Sequence, residues 1–588
     1  MTPSAQGENV THVPTEASLQ ERREQARRAR GRSRMTKKRL CWAAAALGVA
    51  LAATGLPGQA FAEPRPSNAR TTLPSGFLDL TAARAELPLG PSGLAETRST
   101  QTLQPGLTLT RIVRGAVDQK HRWTVEASIP GGDTSPDPDA PPTALKDKAS
   151  ADELVAALRG DGFDARAERV TTPRTADYAG GTLGWRVRIG SFTSQSAATT
   201  ERTRMINAGY SGSVTYTGWD GATTDRGPWR LDVLTIDPRT FRGALDASYG
   251  PDIENRETVS ALATDAGAVA AVNAGFFVLD PRSGAPGDPA GVGVYDGRLL
   301  SETVGGRPGF VVQDDGRRTQ VTRLTWEGTV SANGTSLPLN GVNRVPGLIR
   351  NCGGGEGDSP TSLPLHDVTC NNPDQLVAFT PEYGASTPQG EGVEAVLDST
   401  GLVVELRTAR GGTLPPGGSS VQATGRHVAA LTALARPGTR LSVETTLRDD
   451  QGDPVTPGPG TDIVNAGPEL VRDGNVHITP ATDGMVHPGN PSWYYGWVHK
   501  RNPRTVAGTD AAGRTVLITA DGRSTNSLGL SITESAKVAR SLGLRDAVNL
   551  DGGGSTTMVA NGRVINAPSD AAGERPVGDA LLVLPRKG

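Results

Sequence analysis

Alternation and helical spacing divide the chain into stretches of different character. Trp123-Thr124-Val125-Glu126-Ala127 alternates as a strand does, and a loop rich in Pro, Gly and Asp follows from Pro130 to Pro142. Ser150-x-x-Glu153 reads as a capping box, predicting a helix with Leu154, Ala157 and Leu158 inward and a stop near Gly160 or Gly162. Ala165 to Val170 predicts a second strand. Trp185, Val187 and Ile189, alternating with Arg186 and Arg188, predict a third. A second helix is expected from about Ala197 to Asn207, and Val214 to Trp219 returns as a strand. The order βαββαβ predicts a small ferredoxin-like domain, placed at 106–225.

From about Arg230 onward the pattern changes. Asp296-Gly297, Asp473-Gly474 and Asn561-Gly562 each separate two strand-like runs and predict type I′ hairpins. Helices are fewer: one from Glu257 to about Asp265, and one opened by a second capping box, Ser531-x-x-Glu534, and closed at Gly543. Ala547-Val548-Asn549-Leu550 then forms a buried strand that delivers Asp551 at its end. Together these stretches predict an α+β chain whose large, mixed, strand-rich domain spans 228–588. Residues 63–105 are polar and turn-rich without periodicity, and no structure is predicted there.

Composition adds constraints. Basic residues crowd Arg22 to Arg39, an apolar run follows from Cys41 to about Leu56, and Ala60-Phe61-Ala62 suits cleavage. Residues 1–62 therefore read as a signal peptide, with Met35 an alternative start and an uncleaved anchor the rival reading. No later stretch is long and apolar enough to span a bilayer. The expected product is secreted or held in the cell envelope. Charge is balanced, at 60 Lys+Arg against 62 Asp+Glu, with no basic stripe interleaved with aromatics, which excludes nucleic acid as a partner. Cys41 would leave with the signal peptide. Cys352 and Cys370 remain, and in an oxidising compartment they are expected to form a disulfide rather than a reactive thiol beside His366.

The chemistry is expected where the Ala547 strand stops. Asp551-Gly552-Gly553-Gly554-Ser555-Thr556 sets a carboxylate beside three glycines and two hydroxyls. Three glycines forgo packing, which suits close approach of a ligand to main-chain N–H groups. The run lacks the Gly-Lys-Ser/Thr ending of a phosphate-binding P-loop. The seven histidines are scattered, without the spacing of a metal site.

Two resemblances follow from these residues. Trp185 to Phe192, then a helix, then Asn207-Ala208-Gly209-Tyr210 resembles the SPOR family, associated with peptidoglycan glycan strands. Further on, Ala271-Val272-Asn273-Ala274-Gly275-Phe276-Phe277, Asn465-Ala466-Gly467-Pro468, Pro503 to Gly508, Asp521-Gly522-Arg523, Asn549 to Thr556 and Gly573 to Val577 occur in the order of the phosphodiester glycosidase family. The stretch 336–372, with its cysteine pair, departs from that family and looks like an insertion.

This second resemblance implies hydrolysis of the anomeric C–O bond of a sugar-1-phosphodiester. An oxocarbenium-like transition state is ordinarily served by two carboxylates, here Asp551 and Glu574. Arg504 and Arg575 would clamp the phosphate. Asn273, Gly275, Ser555 and Thr556 would contact the sugar, as would the main chain of Gly552, Gly553 and Gly554. Asp521, in an Asp-Gly turn, would also contact substrate, and His499 belongs to an aromatic cluster (Trp493, Tyr494, Tyr495, Trp497) that could form a substrate wall. No cofactor or metal is implied, with Ca²⁺ left open. Two rivals are a phosphodiesterase cutting the P–O bond and a non-catalytic binder of envelope glycan.

Overall fold

The computed structural model describes residues 86–130, 143–280, 284–350, 357–361, 368–487 and 489–586. The predicted signal peptide lies outside them, as do Cys352 and most of the loop after Pro130. Residues 82–588 form one compact unit. Among the described residues no helix is long and apolar enough to cross a membrane.

The protein is a mixed α+β structure organised around an antiparallel sheet of eight strands. Their order is Glu96–Gln104, Leu107–Arg114, Trp229–Ile236, Thr515–Ala520, Arg504–Asp510, Leu544–Asn549, Glu469–Arg472 and Asn475–Val476. The inner strands are buried on both faces. Val506, Val516, Ile518 and Ala547 meet Ile532, Ala536 and Ala539 of the helix Ile532–Ser541 on one side. Ala507, Leu517 and Val548 point the other way, into a core shared with Val272, Leu581, Phe310 and Val464. Those residues belong to two five-stranded sheets, one holding Ala270–Asn273, Met558–Ala560 and Ala580–Leu584, the other Asp462–Asn465 and Pro308–Gln313. This double burial explains why Ala547-Val548 carries no alternation. A further lobe between Thr325 and Val455 has its own apolar cluster around Leu376, Val421 and Leu431.

The three predicted hairpin turns form. Asp296-Gly297, Asp473-Gly474 and Asn561-Gly562 all have positive φ at both residues, as type I′ turns require. Ser531 and Glu534 form the full reciprocal capping box. The first box does not form: the helix Lys148–Gly160 is capped three residues earlier by Asp147, which accepts from the Ser150 N–H at 3.0 Å. A carboxylate competes well for that donor.

The stretch 63–105 ends in structure rather than in turns. Glu96–Gln104 is a strand at the edge of the large sheet, mostly exposed and paired to Leu107–Arg114. A polar edge strand shows no apolar period and so carries no signal that periodicity can detect. Leu107–Arg114 likewise belongs to this sheet and not to the small domain that follows. It pairs with Trp229–Ile236, with Arg114 opposite Trp229, so residues 115–228 leave and rejoin the sheet at neighbouring strands.

Between those points run the strand Trp123–Ala127, the helix Lys148–Gly160, the strands Ala165–Thr172 and Gly181–Phe192, the helix Gln195–Asn207 and the strand Gly212–Tyr216. The strands form one antiparallel sheet in the order Ala165, Gly181, Trp123, Gly212. Val125, Val187 and Ile189 meet Leu154 and Leu158 on its helix side.

Candidate functional site

The strand Leu544–Asn549 ends where the large sheet meets the Ala270–Asn273 strand, and that junction positions Asp551. Its N–H donates to the Ala274 carbonyl at 2.9 Å, and its carbonyl accepts from Asn273 Nδ2 at 2.8 Å. Asn273 Oδ1 accepts from Thr505 Oγ1 at 2.7 Å and from the Thr557 N–H at 3.1 Å. Asn273 is fully buried. It ties three segments together beneath the Asp551 loop and does not present its amide to a sugar, as the sequence had suggested.

Each of the three glycines accommodates a different neighbour. A Cβ on Gly552 would stand 2.9 Å from the Pro503 carbonyl and 3.7 Å from Arg504 Cα. On Gly553, whose φ is +61°, it would stand 3.0 Å from Arg523 Nη2. On Gly554 it would fall 2.1 Å from Arg575 Nη2 and 2.4 Å from Asp570 Oδ1. The run thus brings Arg504, Arg523 and Arg575 close to one loop, and Arg575 is fixed by Asp570 at 2.8 Å.

Arg504 is 2% exposed. Its Nε donates to the Leu530 carbonyl at 2.9 Å and its Nη2 to the Trp497 carbonyl at 2.6 Å. Burial, reinforced by the Arg523 charge, pushes its pKa down to about 9. It remains cationic at neutral pH, in surroundings that an incoming anion would relieve.

Arg504, Asp551 and Gly552 face one small cavity. Phe276, Pro468, Met485, Trp497 and Ile532 supply apolar walls, and Asn549 completes the lining. Asn549 Nδ2 donates to the Gly467 and Leu550 carbonyls, whereas its buried Oδ1 accepts nothing. Asp551 is the one carboxylate among these lining residues. Its Oδ1 accepts from the Gly552 N–H at 2.8 Å.

Other expected residues lie elsewhere. Glu574 does not line the cavity: it accepts from the Ser260 N–H at 2.8 Å and from Ser260 Oγ at 2.6 Å. Ser260 lies in the first turn of the helix Val259–Asp265, whose first N–H groups lack internal acceptors and attract a carboxylate. Asp521 accepts from the Ala567 N–H at 2.8 Å, and burial raises its pKa. The Gly275 N–H donates to Asp579, which burial raises to about 6. His499 stacks on Tyr495, away from the lining, and burial lowers it to about 4. Ser555 and Thr556 are buried beneath the loop. Arg523 and Asn549 join the site although the sequence signal at each is carried by a neighbouring carboxylate, Asp521 and Asp551. Among the described residues no group of three or more His, Cys, Asp or Glu could hold a metal ion.

Comparison with known proteins gives this geometry a context. Residues 391–584 match the phosphodiester glycosidase family and residues 143–216 the SPOR domain. The chain is 37% identical over 105 residues to N-acetylglucosamine-1-phosphodiester alpha-N-acetylglucosaminidase of Mus musculus, covering 17% of this chain and 20% of that enzyme. It is 29% identical over 164 residues to the Bos taurus enzyme, covering 27% and 30% respectively. It thus spans no more than 30% of the length of those two relatives. The crystal structure of a "Putative exported protein" from Burkholderia pseudomallei K96243 is similar along far more of the chain: 36% identity, a TM-score of 0.75, and coverage of 85% of this chain and 98% of that one. Residues 391–584 therefore carry a phosphodiester glycosidase domain, and a SPOR domain precedes it at 143–216.

Proposed function

We propose that this protein is an exported hydrolase that cleaves the anomeric C–O bond of a sugar-1-phosphodiester on a cell-envelope glycan or glycopolymer. The observation that carries the reading is that Asp551 and the buried Arg504 line the same cavity. In this reading the sugar packs on Trp497 and Phe276 with its anomeric carbon toward Asp551. The phosphate lies toward Arg504, with Arg523 and Arg575 adding positive potential behind the glycine loop. As the C–O bond breaks, its electron pair leaves with the phosphate oxygen. A phosphate monoester departs as a stable anion, so electrophilic arginine can replace the acid that an ordinary glycoside needs. Asp551 stabilises the developing oxocarbenium charge and orients or deprotonates the attacking water. One carboxylate in the cavity then suffices, which replaces the Asp551–Glu574 pair expected from sequence.

The SPOR match and the name of the Burkholderia relative favour an extracytoplasmic setting. Residues 115–228 are read as a ferredoxin-like unit of that class, with peptidoglycan as its partner. Cys370 is disulfide-bonded, and Cys352 is the proposed partner. Hydrolysis in ¹⁸O-labelled water tests the bond assignment: label should enter the sugar, and label in the phosphate would instead show P–O cleavage. Asp551→Asn should lower kcat by about 10³-fold or more. Full activity in that variant would remove Asp551 from the mechanism.

A further inference from the structure

The face of the four-stranded sheet turned away from its helices is closed. Glu126, Arg186 and Arg188 stand on it, with Asp220 from the turn after the last strand, and Glu126 and Arg188 are 2% and 1% exposed. The cover is the helical segment Pro491–Tyr494 with its continuation Tyr495–His499. The Tyr495 hydroxyl donates to Glu126 Oε2 and accepts from Arg186 Nη1, both at 2.8 Å. Lys500 Nζ donates to Thr215 Oγ1 at 3.1 Å. Arg186 is itself held at both ends of its fork by Asp220 at 3.1 Å.

The same segment supplies the cavity wall. Trp497 lines the cavity, and its carbonyl is the acceptor for Arg504 Nη2 at 2.6 Å. Asn502 Nδ2 fixes the Gly496 carbonyl at 2.8 Å. A single residue, Gly496, therefore separates Tyr495, seated on the small sheet, from Trp497 at the cavity.

We propose that Tyr495 is a positioning residue through which the four-stranded sheet sets the Trp497 wall and the Arg504 guanidinium. The sheet face is then scaffolding for the cavity rather than an open glycan-binding surface, and glycan must reach the SPOR unit elsewhere. The inference rests on the hydrolase reading for its kinetic consequence only. The buried charges make the seat rigid, because removing one member of such a network leaves its partners unpaired. A small displacement of a positioning group weakens every contact made through it.

Tyr495→Phe in the full chain removes one oxygen and leaves the ring. Calorimetric titration with inorganic phosphate should show affinity lowered by about threefold or more, and KM for a sugar-1-phosphodiester should rise in step while kcat holds within about twofold. Unchanged phosphate affinity, with only a lower unfolding temperature, would overturn the proposal. So would a wild type that binds no phosphate. If Tyr495→Phe fails to fold, Lys500→Met loosens the same seat and is judged by the same titration. A wild type without turnover whose phosphate affinity still drops on Tyr495→Phe would sink the hydrolase reading and leave the positioning role standing.

Discussion

Arg575 lies over Gly554 so closely that a methyl group there would stand 2.1 Å from its guanidinium. The guanidinium cannot simply swing aside, because Asp570 holds both Nε and Nη2. Gly554→Ala should therefore cost about 1–3 kcal/mol in stability, the usual penalty of overpacking. In an Arg575→Ala background the same change should cost less. Equal costs in the two backgrounds, measured by denaturant unfolding as a double-mutant cycle, would show that the two positions do not meet.

Arg504 gives the cavity its pH limit. With its pKa near 9, the guanidinium is charged at neutral pH and loses that charge above about 9. The pH profile of kcat/KM should fall on the alkaline side, about tenfold per unit once past that value. Arg504→Lys should lower kcat/KM by about 10²-fold, since an ammonium cannot reproduce the planar fork. A flat profile up to pH 10 would place the essential cation elsewhere.

Asn273 is expected to matter for stability first and activity second. Asn273→Ala leaves the Thr557 N–H and the Asp551 carbonyl without their partner and opens a small void. A loss of about 2–4 kcal/mol is expected from such buried groups. KM should change as well, because the Asp551 loop loses its anchor. A variant that keeps wild-type stability but binds substrate poorly would restore Asn273 to direct contact with sugar.

Asp462 should make the protein less stable toward alkaline pH. Burial, with the neighbouring Asp246 charge adding to it, raises its pKa to about 8, against about 3.9 for an unfolded chain. The folded state then holds the extra proton between those values, so stability is fully present below about pH 4 and is lost as pH rises toward about 8. Asp462→Asn removes the titration and keeps the acceptor for the Asp296 N–H. Its melting temperature should exceed wild type at pH 8 and converge with it near pH 4. The opposite order would show that the pair is held by something other than a shared proton.

Much of the site was legible because its signals are local. A capped helix feeding an apolar strand, then Asp551 and three glycines, can be read in a window of twenty-odd residues, and the close approach at the glycines is that of Pro503, Arg523 and Arg575. What could not be read is which distant groups fill the space. The Asn273–Asp551 contact joins residues 278 apart in the chain, and the motif containing Asn273 says nothing of whether its amide faces ligand or interior. The charge of Glu574 suits the reaction but does not fix where the side chain goes. Its destination is a helix N-terminus that competes for the same carboxylate. Arg523 stands beside Asp521 in one motif, yet it is the arginine that reaches the glycine loop while the carboxylate turns to the Ala567 N–H. The edge strand Glu96–Gln104 was invisible because only its partner is apolar.

The small sheet departs from the large one after Arg114 and returns at Trp229, directly across the ladder. Neighbouring strands lie about 4.8 Å apart, so the guest module hangs from a stem no wider than a hairpin turn. It is nested inside its host instead of strung before it. A truncation that begins at residue 228 would strip two rungs from the eight-stranded ladder along with the module, whereas splicing 114 to 229 through a short turn would excise the module and leave the ladder whole.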